Sequence, residues 1–255
     1  MDGLLNLLDQ IEIPDTYPYL MGVLGLTLIW KFHDLQVKYG RIKAVDVWKR
    51  SGIRMFVHVT PNDSNACSHC READGTAFLP AVVASKKFTA LGAPCTNPTG
   101  CRCLMVGLYG AWKEAVTVQV ELGKNGGKLK LSGDDVQRLL EGARRRYPNA
   151  NVDDCSISLL EAVRAEGADL ETAIARYRYV ADNAVEDRDR FFIIPAYLRL
   201  SYLYELAKRP EEALKVVDRV LKASGDRSSG LRAQSEDQVA VLSLRKARLL
   251  KQLNR

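Results

Sequence analysis

Five of the six cysteines in this 255-residue chain lie between positions 67 and 103. That clustering constrains the fold more than any other feature. Cys67 and Cys70 are spaced C-x-x-C, and Cys95, Cys101 and Cys103 follow 25 to 33 residues after Cys70. Two cysteine groups separated by a loop supply four thiolates to one tetrahedral Zn²⁺. Four thiolates leave no open coordination position, so such a zinc is structural and not catalytic. Gly75 and Gly100 allow tight turns around the ion. Six cysteines are too few for a disulfide scaffold at this length. No thioredoxin-like βαβ pattern surrounds the C-x-x-C to make it a redox pair. The candidate metal ligands are Cys67, Cys70, Cys95, Cys101 and Cys103, any four of which complete a site. His69, between two ligating cysteines, is expected to point to solvent, and His58 to be a half-buried strand residue. Cys155 stands alone and reads as a small buried apolar residue.

The N-terminal stretch carries Asp2, Asp9, Glu12 and Asp15 and no Lys or Arg, so it lacks the positive start of a secretory signal. Tyr17 to Trp30 then runs for fourteen residues without a charge. As a helix this run is roughly 21 Å long, against a hydrocarbon core of roughly 30 Å. Tyr17, Tyr19 and Trp30 sit near its ends, as interfacial aromatics do. Lys31, Lys38, Arg41, Lys43, Lys49 and Arg50 follow closely. Acids before the run and bases after it imply a single membrane pass with the C-terminal part cytoplasmic. The competing reading is a helix buried in a core or docked on a partner.

Residues 33–50 read as a helix with a basic face, and 53–60 as a strand. Pro61 to Asn65 is a turn cluster. Val116, Val118, Val120 and Leu122 alternate with polar residues, as do Leu129 and Leu131 after an Asn-Gly turn. That pattern predicts a β-hairpin. Ser132 caps a helix over 133–146, with Asp134 and Asp135 in its first turn. From about 155 the chain is mostly helical. The expected class is α+β, in three parts: 1–32, a tail and hydrophobic helix; 33–150, a basic helix with a zinc-stabilised β module; and 151–255, helical repeats.

Two family resemblances follow from these residues. Cys67, Cys70, Asp74-Gly75, Phe78 and Cys101-Arg102-Cys103 resemble the zinc-binding part of phage Mu F-like minor head proteins, over about residues 52–103. That family has His-Pro before its C-R-C, where this chain has Asn97-Pro98. The resemblance implies that Cys95 replaces the histidine as a ligand. The segment 194–227 resembles a tetratricopeptide repeat. Tyr197, Leu200, Ser201 and Tyr204 fall at first-helix packing positions, and Ala213, Val217 and Val220 at second-helix positions. Arg209-Pro210 makes the turn. A weaker copy precedes it at Ile157, Leu160, Ala173, Tyr177 and Val180. Ala173 to Ala213 spans 40 residues, six more than the usual period, which implies an insertion at 182–190. A last helix over 236–253 caps the stack. The repeat register places Leu198, Tyr202 and Glu205 on the inner face, as the candidate partner-binding stripe.

Other signals point to no chemistry. Gly123 to Lys128 lacks the Ser or Thr of a phosphate loop. Arg144, Arg145 and Arg146 suit a helix C-terminus. No Ser/His/Asp set, no supported carboxylate pair and no His-Glu metal motif is present, so no enzyme is expected. The expectation is a membrane-anchored scaffold that recruits a protein through its repeats, with zinc as the cofactor. The alternative is a soluble basic zinc protein, of net charge +6, that binds nucleic acid or a phage-like assembly.

Overall fold

The computed structural model describes residues 17–61, 63–64, 66–85, 96, 102–146, 154–184, 186–225 and 236–254. It is a mixed α+β protein, mostly helical, with one small antiparallel sheet. The chain divides into two units, residues 1–44 and 45–255.

Helix α1 (Tyr17–Arg50) is the only described element in the first unit and continues into the second. Among the described residues, no helix is long and apolar enough to cross a membrane.

In the second unit, β1 (Met55–Val59), β2 (Thr76–Phe78), β3 (Leu104–Leu108) and β4 (Lys128–Lys130) pair in the order β3-β1-β2-β4. Val57 lies opposite Ala77 on one side and Val106 on the other. Every residue of β1 is buried, because both of its faces are covered as well as both of its edges. The short helix α2 (Ser68–Ala73) precedes β2, and α3 (Pro80–Val83) follows it. Trp48, at the end of α1, meets the Phe56 ring edge-on at 4.9 Å.

Residues 113–124 correct the sequence reading. They form helix α4 (Lys113–Lys124), not a strand, so only β4 survives of the expected hairpin. The alternation of Val116, Val118, Val120 and Leu122 is incidental. Val116 and Val120 are exposed, while Ala115, Val118 and Leu122 are buried at i, i+3 and i+7 with Trp112 ahead of them. Helix α5 (Gly133–Arg146) then packs on α4. Its N-terminus is a reciprocal cap. The Asp135 N–H donates to Ser132 Oγ at 3.1 Å, and Asp135 Oδ2 accepts the Ser132 N–H at 3.0 Å. Trp112 Nε1 donates to the Leu139 carbonyl at 3.0 Å and ties the two helices together.

The rest is α6 (Asp154–Ala165), α7 (Leu170–Asn183), α8 (Glu186–Leu206), α9 (Pro210–Gly225) and α10 (Glu236–Leu253). Each packs on the next, as two successive helical hairpins and a terminal helix. Asp169 caps α7 by accepting the N–H groups of Glu171 and Thr172. All five pairs set 40 residues apart are buried: Ile157 and Tyr197, Leu160 and Leu200, Ala173 and Ala213, Tyr177 and Val217, Val180 and Val220. The residues around 182–190 make no long loop. Helix α7 runs to Asn183 and α8 starts at Glu186, so the surplus lengthens α8 to 21 residues, against 12 in α6.

The hairpins do not stand apart from the sheet. Helices α6 and α8 pack against β3, and α6 also against β1. One hydrophobic core runs from Ile53 to Leu249 across the expected boundary near 150.

Candidate functional site

The cysteine module lies at the end of the sheet where β1 leaves and β3 enters. Cys67 is the N-cap of α2, and its Sγ accepts the Cys70 N–H at 3.4 Å. Cys70 is buried in the first turn of that helix. Cys103 is buried directly before β3, with its Sγ 3.2 Å from Thr60 Oγ1. Cys95 and Cys101 lie outside the described residues. Among the described residues, no group of three or more His, Cys, Asp or Glu side chains is placed to hold a metal.

Residues of little prominence in the sequence fix this module in place. Asp74 Oδ1 accepts the Thr60 N–H at 2.9 Å, and its Oδ2 lies 3.5 Å from Arg164 of α6. Lys130 Nζ donates to the carbonyls of Glu72 and Asp74. The Gly75 N–H donates to the His58 carbonyl at 2.8 Å, while the Gly75 carbonyl accepts from Leu131 at 3.1 Å. Gly75 has φ +73°, and a Cβ there would lie 2.9 Å from the Leu131 carbonyl oxygen, so both conformation and space require glycine. Arg102, the middle residue of C-R-C, forms a bidentate pair with Asp63, its Nη1 at 2.7 Å. Asp74-Gly75 and Arg102 belong to the recognisable motif, but their partners are distant in sequence. His58 is fully buried rather than half-buried, and burial lowers its imidazole from the ordinary value, against a hydrogen bond that the ring donates to the Ala73 carbonyl. His69 is exposed and Cys155 is buried, as expected.

The candidate partner stripe lies on α8. Leu198 and Tyr202 are partly buried against the core. The Arg199 guanidinium stacks 5.0 Å from the Tyr202 ring centroid. Glu205, 17% exposed, pairs with Arg248 and, at 3.3 Å, with Arg245, both from α10. Arg245 also donates to Ser201 Oγ at 2.7 Å and to the Leu198 carbonyl at 3.2 Å. Burial lowers the Arg245 guanidinium below its ordinary value, against the pull of Glu205. The three stripe residues therefore share one surface, and the terminal helix has closed over its polar end. The matching positions on α6 are Ser158, Ala162 and Ala165. Ser158 and Ala162 are fully buried, and Ala165 packs against the core.

Between the stripes lies a buried ion pair. Glu166, 1% exposed, accepts from Arg199 Nε at 2.9 Å and from the Tyr177 hydroxyl at 2.6 Å. Burial, and then the Glu166 charge, push the Tyr177 phenol well above its ordinary range. Two of the three arginines of the run pair within the chain: Arg144 holds Asp154 and Glu161, and the exposed Arg145 holds Glu114.

The third candidate surface is α1. Val23, Leu24, Leu26 and Leu28 are 64%, 52%, 70% and 61% exposed. Successive helical residues are about 100° apart, so these four side chains, together with the exposed Met21, Ile29 and Phe32, are distributed around the helix. Met21, Ile29, Trp30 and Phe32 are exposed as well.

Comparison with protein-family models, with curated proteins and with solved structures finds no match.

Proposed function

We propose that this protein is a membrane-anchored scaffold that recruits a protein partner through its helical hairpins. The carrying observation is the apolar surface of α1, exposed and distributed around the helix. A helix docked on a protein buries one stripe and keeps a polar face, whereas one apolar all round requires an apolar medium on all sides. The uncharged stretch is short for a bilayer. Local thinning and snorkelling of Lys31 accommodate a short span at modest cost. The charge step around the run supports a cytoplasmic C-terminal part.

The hairpins act as tetratricopeptide-like repeats in this reading. The residue pairs at 40-residue spacing, all buried, support it. Leu198 and Tyr202 are the partly exposed apolar members of the inner stripe, and Glu205 its acidic end. The middle module is held by one structural zinc. Cys67 and Cys70 supply two ligands, and Cys95, Cys101 and Cys103 are the candidates for the other two. The metal's contribution is cross-linking of the loops that close the sheet.

Fractionation with a carbonate wash tests the anchor. Pelleting should survive carbonate and be lost in detergent, and a carbonate-soluble chain would sink the reading. In sealed right-side-out cells, external protease should remove an N-terminal tag and spare one at Arg255. Purified protein should carry about one zinc per chain. Cys67→Ser or Cys70→Ser should lower that content and loosen the sheet.

A further inference from the structure

We infer that the surface formed by Leu198, Tyr202 and Arg248 docks an acidic segment of a partner protein, with an apolar side chain on the first two and a carboxylate on the third. This rests on the scaffold reading above and names the chemistry of what the stripe recruits. Taken alone, Glu205 makes the polar end of the stripe negative, which would select a basic partner. The terminal helix reverses that sign. Arg245 and Arg248 both pair with Glu205, so two cations meet one carboxylate. The neighbouring Arg199 is balanced by Glu166, and Lys246 by Asp218, so neither pair removes the excess. Residues 245–254 supply no acid of their own: they hold Arg245, Lys246, Arg248 and Lys251 and no Asp or Glu.

The two arginines are not equally available. The Arg245 side chain is 20% exposed, and its donors go to Glu205, to Ser201 Oγ and to the Leu198 carbonyl. The Arg248 side chain is 56% exposed and donates to Glu205 through Nη2. A guanidinium carries more N–H donors than one carboxylate oxygen uses, so Arg248 can take a second carboxylate without releasing the first. A basic group on the partner would instead meet an excess of positive charge around a Glu205 that is largely buried. Leu198 and Tyr202 lie on the same helix, partly exposed, and give the apolar contact that a charge alone lacks. Leu198 and Glu205 are seven residues apart, about 10 Å along α8. The apolar anchor and the acid of the partner are therefore separated by about three residues of extended chain or about two turns of helix.

The test pans the full chain, in detergent, against a random dodecapeptide library displayed on phage. Selected peptides should be enriched in Asp and Glu over the unselected library, together with an aliphatic or aromatic residue. The consensus, made as a fluorescent peptide, should bind with an affinity that Arg248→Gln lowers about tenfold and Tyr202→Ala lowers further. Arg248→Gln brings no new charge beside Glu205, and an unchanged helical signal shows that it folds. In a second selection, Arg248→Glu should lose the acidic bias. Peptides without that bias whose binding is lost in Tyr202→Ala would overturn the inference and leave the stripe standing. An acidic consensus that binds Arg248→Gln undiminished would also overturn it, since the charge would then lie elsewhere. Selection of no peptide, or binding indifferent to both Tyr202→Ala and Arg248→Gln, would remove the inference and the stripe together.

Discussion

The two helical hairpins bury the same positions 40 residues apart and differ at the neighbouring stripe of their first helices. Position for position, Ser158, Ala162 and Ala165 on α6 correspond to Leu198, Tyr202 and Glu205 on α8. The first set is small, and helix α6 lies against β3 and β1. The second set is large, partly exposed and met by Arg245 and Arg248 of the terminal helix. The outcome follows side-chain size. The small residues are covered completely or nearly so, while the leucine and the tyrosine, on a helix that also packs against β3, remain partly exposed. Buried positions that recur 40 residues apart therefore describe how the hairpins pack, but not which other residues of their first helices stay exposed.

The comparison is broken most severely where the hairpins join. Glu166→Ala strands Arg199, 14% exposed, as a buried charge without its partner. Loss of one member of a buried pair costs about 3–5 kcal/mol, or about 10 °C or more in Tm at this size. If Glu166→Leu with Arg199→Met restores most of that loss, the pair sets register more than stability. Next in size, Ala162→Tyr gives α6 the residue that α8 carries, where no space exists. Overpacking should cost about 3 kcal/mol by denaturant midpoint. An unchanged midpoint would show that the sheet does not fill that face.

The sheet packed against α6 has its own readout in His58. Its folded-state affinity for a proton is lowered by burial, so the unfolded chain takes up a proton that the folded chain refuses. Stability is then complete above the ordinary histidine value of about 6.5 and falls as pH drops below it. The slope should be at most about 1.4 kcal/mol per pH unit, and His58→Gln should flatten it. The smallest effect is expected at Tyr202. Tyr202→Ala should cost under about 1 kcal/mol of stability while weakening partner capture by about 2 kcal/mol if the tyrosine anchors an interface. Unfolding of that variant would place Tyr202 in the core and remove the stripe from consideration.

What was legible in the sequence was local. Ser132 and Asp135 cap a helix from three residues apart, and the buried positions of the hairpins recur at helical spacing on one element. Helix α4 was misread because the alternating valines satisfy a strand pattern and a helix pattern at once. The choice is made by packing: α5 and β4 lie against α4, with Ala115, Val118 and Leu122 buried and Val116 and Val120 in solvent. At the site, the C-x-x-C spacing announced Cys67 and Cys70. The roles of Asp74, Arg102 and Glu205 depend on Thr60, Asp63, Arg164 and Arg245, which no local pattern links to them.

The strand order has a consequence for synthesis. Met55 must find Leu108, and the sheet is then covered by helices that begin at Asp154. Contacts this distant form slowly, whereas each helical hairpin closes between neighbours in sequence. On the ribosome the strands emerge well before the helices that cover them, and their apolar faces wait exposed. A chain released near residue 150 would carry β1 and β3 without α6 and α8. Such a fragment should aggregate, and the strands should acquire hydrogen-exchange protection only after the first hairpin has left the exit tunnel.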